Sequence, residues 1–154
     1  MPTVTLNLYD AFRLKQASGN GAVKLSGTTP VAVKAMLVTS AYTVVQNTHN
    51  FRDDVTNEVV GNEYVAGGAT CANPTDTVDG AGLVTVDFDD PPTWNQHATG
   101  FNTARRAVFY AARGGASSAD ELIAYTEDFG ADKGNVDGDF SIALNAAGFY
   151  TSAR

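Results

Sequence analysis

The chain has 154 residues but only one cysteine, one tryptophan and two histidines, and little lysine. Each scarcity removes a class of chemistry. Cys71 has no partner in its own chain, which excludes an intramolecular disulfide framework and a multi-cysteine zinc site. As a small apolar side chain it belongs in the core. His49 and His97 stand at no spacing that makes a metal site or a catalytic triad, and no GxSxG elbow, phosphate loop or dinucleotide fingerprint occurs. The expectation is therefore a non-enzyme, with no catalytic residue, cofactor or metal. Lysine is limited to Lys15, Lys24, Lys34 and Lys133, and the formal charge is −7. Such a chain is not built to neutralise phosphates, so nucleic acid is not an expected partner. No apolar run approaches the ~20 residues that span a bilayer. No basic segment followed by an apolar stretch opens the chain, so no membrane partner is expected and the starting compartment is the cytoplasm of the producing cell.

Alternation is what the chain does have. Val31, Val33, Ala35 and Leu37 share one face of a strand, and Ala32, Lys34, Met36 and Val38 the other, a pattern for a central strand covered on both sides. Thr103 to Ala111 is the strongest strand pattern, apolar on both faces apart from Arg105 and Arg106. In Leu83 to Phe88, Val84, Val86 and Phe88 read as inward. In Asp139 to Leu144, Phe140, Ile142 and Leu144 do. Further strands are expected at Glu58 to Val60, Glu63 to Ala66, Leu122 to Thr126, Phe149-Tyr150, and Ala69 to Val78, the last bent at Pro74. Before them, Val4, Leu6 and Leu8 alternate, Asp10 caps a short helix with Ala11, Phe12 and Leu14 as its apolar contacts, Gly19 to Gly21 ends it, and Val23 and Leu25 suggest a small strand. The fold class expected is all-β, a jelly-roll-like β-sandwich with one short N-terminal helix. It forms a single domain over 1–154, with an N-terminal arm and helix in 1–30 and the sandwich in 31–154.

Acidic clusters invite sharper readings. Asn135 to Asp139 resembles a calcium loop, but placing Gly138 as the turn glycine puts Lys133 and Leu144 at ligand positions. A hairpin turn is the better reading, with a looser site from Asp132, Asp137 and Asp139 as the alternative. Asp87, Asp89 and Asp90 read as solvated turn residues rather than a hydrolytic pair. Trp94, with Phe101 and Tyr110, is either a sugar-stacking platform or core, and core is the plainer choice.

Several phrases in order carry a resemblance: Val33 to Thr43, Asn47 to Phe51, Asp54 to Val59, Tyr64 to Thr70, Arg106 to Tyr110 and Gly138 to Ile142. Together they resemble small virion proteins of tailed bacteriophages and prophages. The resemblance implies a structural role, first as a capsid decoration or cement protein on the outer surface of the virion. Its partners would be the phage major capsid protein and further copies of itself in a homotrimer. The alternative is a tail or head-fibre adhesion module that binds host carbohydrate; a small hydrolase ranks third. Cys71 departs from the aliphatic residue expected at its place.

Partner contacts are expected from two segments. The first is the arm Pro2 to Leu8, with Thr3, Val4 and Leu6, which can add a strand to a neighbour's sheet. The second is the long polar segment after Val38. It exceeds the usual connection length and carries the exposed-looking aromatics Tyr42 and Phe51.

Overall fold

The computed structural model describes residues 4–152. Two antiparallel sheets and one helix make up its regular structure. The larger sheet holds β1 (Leu6–Leu8), β2 (Ala32–Val38), β3 (Ala69–Cys71), β6 (Arg106–Ala112) and β7 (Leu122–Thr126), in the order β1-β7-β6-β2-β3. The smaller sheet holds β4 (Thr75–Val78), β5 (Val84–Asp87) and β8 (Tyr150–Ser152), in the order β4-β5-β8. Helix α1 (Asp10–Ser18) follows β1. The mainly-β expectation holds at this level.

The centre of the large sheet is the β2–β6 pair, in register from Ala32↔Ala112 to Val38↔Arg106. Both strands lie between neighbours, which explains their apolar residues on both faces. Ala107, Phe109 and Ala111 of β6 enter the main core, while Val108 and Tyr110 enter a second cluster with Tyr9, Met36, Val38, Tyr42 and Leu122. The chain's own residues therefore cover β6 on both sides, and its apolar faces give no reason to invoke a second subunit. The main core joins the two sheets: Phe149 packs edge-on against Phe109 at 5.2 Å and against Phe88 at 5.1 Å between ring centres. Cys71 is buried there, and burial pushes its thiol up to about 12.

Several local expectations are corrected. Pro74 does more than bend a strand, because β3 and β4 on either side of it belong to different sheets. Residues 58–60 contribute a single bridge, Glu58 to Val38, and residues 139–144 two isolated bridge positions, Phe140, which pairs with Trp94, and Ala143. Residues 63–66 and 23–25 lie outside the strands, although Val23 and Leu25 are buried. Val84 is exposed rather than inward. Tyr9, not Asp10, is the N-cap of α1, and Asp10 is its first helical residue. Gly19 closes the helix at φ 67°, the left-handed conformation glycine adopts without a Cβ penalty. Of the helix's apolar residues only Phe12 is buried, and Leu14 is 69% exposed. At 100° per residue, a position two further on faces nearly the opposite way.

Candidate functional site

The arm does not stand free. Val4 is buried and its amide donates to Ala143 O at 3.1 Å. Leu6 is half-buried in β1, which pairs with β7 from Leu6↔Thr126 to Leu8↔Ala124. The strand-adding segment thus completes its own sheet. Thr3 and Pro2 lie outside the described residues.

The long segment after Val38 is tied down side chain by side chain. Tyr42 is buried, not exposed: its hydroxyl lies 3.0 Å from that of Tyr9 and 2.8 Å from His49 Nδ1, and its ring stacks on His49 at 5.7 Å. Gln46 donates to Leu8 O at 2.8 Å, accepts from the Tyr125 hydroxyl at 3.1 Å, and its carbonyl accepts from the Asp10 amide at 3.2 Å. The Asp54 carboxylate accepts the amides of Phe51 and Asn50 at 3.0 and 2.7 Å, which hold its pKa below the usual carboxylate value. Arg52 pairs with buried Asp120 at 3.1 Å and covers the Tyr110 ring at 5.2 Å, while the Tyr110 hydroxyl donates to Gly67 O at 2.6 Å. Apart from the short-range bonds of Asp54 to Asn50 and Phe51 and of Tyr42 to His49, these partners are distant in sequence and leave no motif.

Phe51 and Tyr42 line different hollows. Phe51, with Ala11, Leu14, Asn47 and Asn50, lines a groove of about 430 Å³ along α1, and Lys15 Nζ sits 5.1 Å from its ring centre. Tyr42 lines an open cleft of about 500 Å³ with Gln46, Arg106, Tyr125 and Glu127. The Tyr125 ring has two close neighbours, the Tyr9 ring tilted against it at 5.0 Å and the Arg106 guanidinium at 5.6 Å. Leu14 forms the ridge between the Phe51 groove and a second one of about 580 Å³ lined by Leu8, Arg13, Tyr150 and Thr151. Val60 and Val65, 89% and 73% exposed, are the other large apolar side chains most open to water. Sequence reasoning missed all three as surface features; for Leu14 the helical period carried the signal.

The remaining singled-out residues have structural positions. Trp94 and Phe101 are buried, with Phe140 beside both at 5.7 Å, and Tyr110 is buried on the other side of the sheet. They offer no open stacking face. Asp132 pairs with Arg105 at 3.5 Å, Asp139 accepts the Gln96 amide at 2.7 Å, and Asp90 accepts the Leu144 amide at 2.6 Å. Among the described residues no three His, Cys, Asp or Glu side chains gather as a metal site, and no helix is long and apolar enough to cross a membrane. Comparison of the chain with protein-family models, curated proteins and solved structures finds no match.

Burial raises the hydroxyls of Tyr9, Tyr42, Tyr64, Tyr110 and Tyr125 above the ordinary tyrosine value, Tyr9 and Tyr64 furthest. A raised value means that the fold keeps protons the unfolded chain releases near about pH 10. Stability is therefore intact below about pH 10 and declines above it, by roughly 1.4 kcal/mol per pH unit for each proton retained. Phenolate absorbance is expected to lag behind free tyrosine and then rise together with unfolding. A gradual rise near about pH 10 in a chain that stays folded would contradict this.

Proposed function

We propose that this chain is a structural protein of a bacteriophage virion, and specifically a decoration or cement protein that binds the outer capsid surface as a homotrimer. The ordered series of phrases from Val33 to Ile142 is the observation that carries this reading. Contact with the major capsid protein explains why Leu14, Val60 and Val65, the three large apolar side chains most open to water among the described residues, stand at the surface. In this reading the five-stranded and three-stranded sheets, sharing one core, are the halves of a jelly-roll-like sandwich. The arm acts indirectly, by completing the edge of the large sheet beside α1. The carbohydrate-binding alternative has lost its aromatic platform, since Trp94 and Phe101 are interior.

Shells of the encoding phage that lack the protein provide the test. Added protein is expected to bind saturably, at a copy number that follows the three-fold positions of the shell, and to raise the temperature at which DNA escapes. A few copies confined to the tail, or none, would sink the proposal. Leu14→Asp sharpens it. Because the side chain is exposed, folding stability should change by no more than about 0.5 kcal/mol. Shell affinity should fall about tenfold or more, equivalent to about 1.4 kcal/mol. Equal affinity of the two proteins would remove the α1 ridge from the contact.

A further inference from the structure

Three polar side chains form a string from the interior toward the surface. The hydroxyl of fully buried Tyr9 lies 3.0 Å from that of Tyr42, and the Tyr42 hydroxyl lies 2.8 Å from Nδ1 of half-buried His49. Among the described residues, Tyr42 is the sole hydrogen-bond partner of the Tyr9 hydroxyl. Counting donors then sets the direction. With a lone pair on Nδ1, Tyr9 donates to Tyr42, Tyr42 donates to Nδ1, and both phenol protons are satisfied. With a proton on Nδ1, three donors share two links, and one phenol proton has no acceptor in the interior. Of the two neutral tautomers of His49, the string therefore selects the one with its proton on Nε2.

We propose that this string is an acid-operated latch: protonation of His49 breaks its bond to Tyr42 and loosens residues 45–50. The imidazolium has a destination. Asp54 uses Oδ2 for the amides of Asn50 and Phe51, its Oδ1 makes no hydrogen bond among the described residues, and its charge interacts with His49. The other groups facing the string are Arg106 from β6 and Tyr125 from β7, together with Asp54 itself. The Arg106 cation opposes holding a second cation against Tyr42, and the Asp54 anion draws it outward. The loosened segment supplies Gln46 to the Tyr42 cleft and Asn47 and Asn50 to the Phe51 groove, so both hollows change together. Only this last consequence, for docking, rests on the decoration reading.

Nuclear magnetic resonance on the isotope-labelled full chain tests the latch. At about pH 8 His49 should carry its proton on Nε2, and the comparison is with the same chain acidified to about pH 5. Amide exchange of His49 and Leu122, whose N–H groups bond Val45 O and Asn50 O, should then quicken at least tenfold beyond the intrinsic effect of pH. His49→Gln offers an acceptor oxygen that does not titrate, so its exchange should remain slow at both pH values. Tyr42→Phe removes the link, so its exchange should show no acid step. A neutral His49 protonated at Nδ1, or the same acid step in His49→Gln, overturns the latch. Shell binding is a separate readout: if it ignores pH while exchange quickens, the latch stands and this loop is removed from the contact surface.

Discussion

Asn135→Ala is expected to cost about 2–6 kcal/mol of folding stability, since it leaves the buried Phe101 amide without a partner at about 1–3 kcal/mol and removes two part-buried bonds, to Asn95 O and Asn62 O, at about 0.5–1.5 kcal/mol each. Asn135 is fully buried. Its Oδ1 accepts the Phe101 amide at 2.9 Å, and its Nδ2 donates to Asn95 O at 2.7 Å and Asn62 O at 3.3 Å. Its own amide donates to Phe101 O and its carbonyl accepts from the His97 amide, both at 2.9 Å. One side chain thus stitches three irregular segments that no ladder holds. The backbones approach so closely that a Cβ on Gly100 would lie 2.1 Å from Asn135 Oδ1, one on Gly134 1.9 Å from Phe101 O, and one on Gly61 2.4 Å from Phe101 N. Against a typical domain stability of about 5–15 kcal/mol, the loss should appear as a large drop in the urea midpoint. Asn135→Asp has the same shape but turns an acceptor toward two carbonyls, so it should also be unstable at neutral pH and recover partly when protonated. A loss below about 1 kcal/mol for the alanine variant would show that water replaces the side chain, and the stitching account would fail.

The contrast between Asn135 and β7 marks what could be read in advance. Leu122–Thr126 is a strand over the residues its composition indicated, and β2, β5 and β6 agree with their alternating patterns to within a few residues. Those patterns report side-chain burial, and burial is what the period of two records. Residues 139–144 show its limit. Phe140, Ile142 and Leu144 do point inward, yet the backbone forms only isolated bridges, at Phe140 to Trp94 and at Ala143, and bonds Val4 and the Asp90 side chain. Alternation says which side chains go in, and it is silent on whether another strand lies alongside. The same gap hid Asn135, which read as the first residue of a turn. At the candidate surface, Phe51 is partly open as its surroundings suggested. Tyr42 is not, because the hydroxyl of Tyr9, from the residue before α1, and the imidazole of His49, seven residues on in the same segment, both reach it. Polar partners distant in sequence leave no local period.

Gly68→Ala is expected to be the most damaging single-methyl change in the chain, costing more than about 3 kcal/mol through combined backbone strain and overpacking. Gly68 has φ 78°, and a Cβ built on it would lie 1.9 Å from Ala35 O and 2.6 Å from Ala35 C. Those atoms belong to β2, where Ala35 pairs with Phe109 on one side and Ala69 on the other. The central strand cannot retreat without disturbing both ladders, so the segment that carries Gly68 must move instead. That segment holds the Gly68 amide to Val65 O at 2.8 Å, the Gly67 amide to Glu58 at 2.6 Å and the Gly67 carbonyl to Tyr110. Gly114→Ala separates the two causes. Gly114 has nearly the same φ, 76°, but nothing lies within 4 Å of a Cβ placed there. It should lose only the left-handed penalty of about 1–2 kcal/mol. Thermal unfolding of the two variants measures the difference, which belongs to the contact with β2. If both lose the same amount, the close approach of Gly68 to β2 does not constrain the fold, and the conformational penalty alone accounts for the glycine.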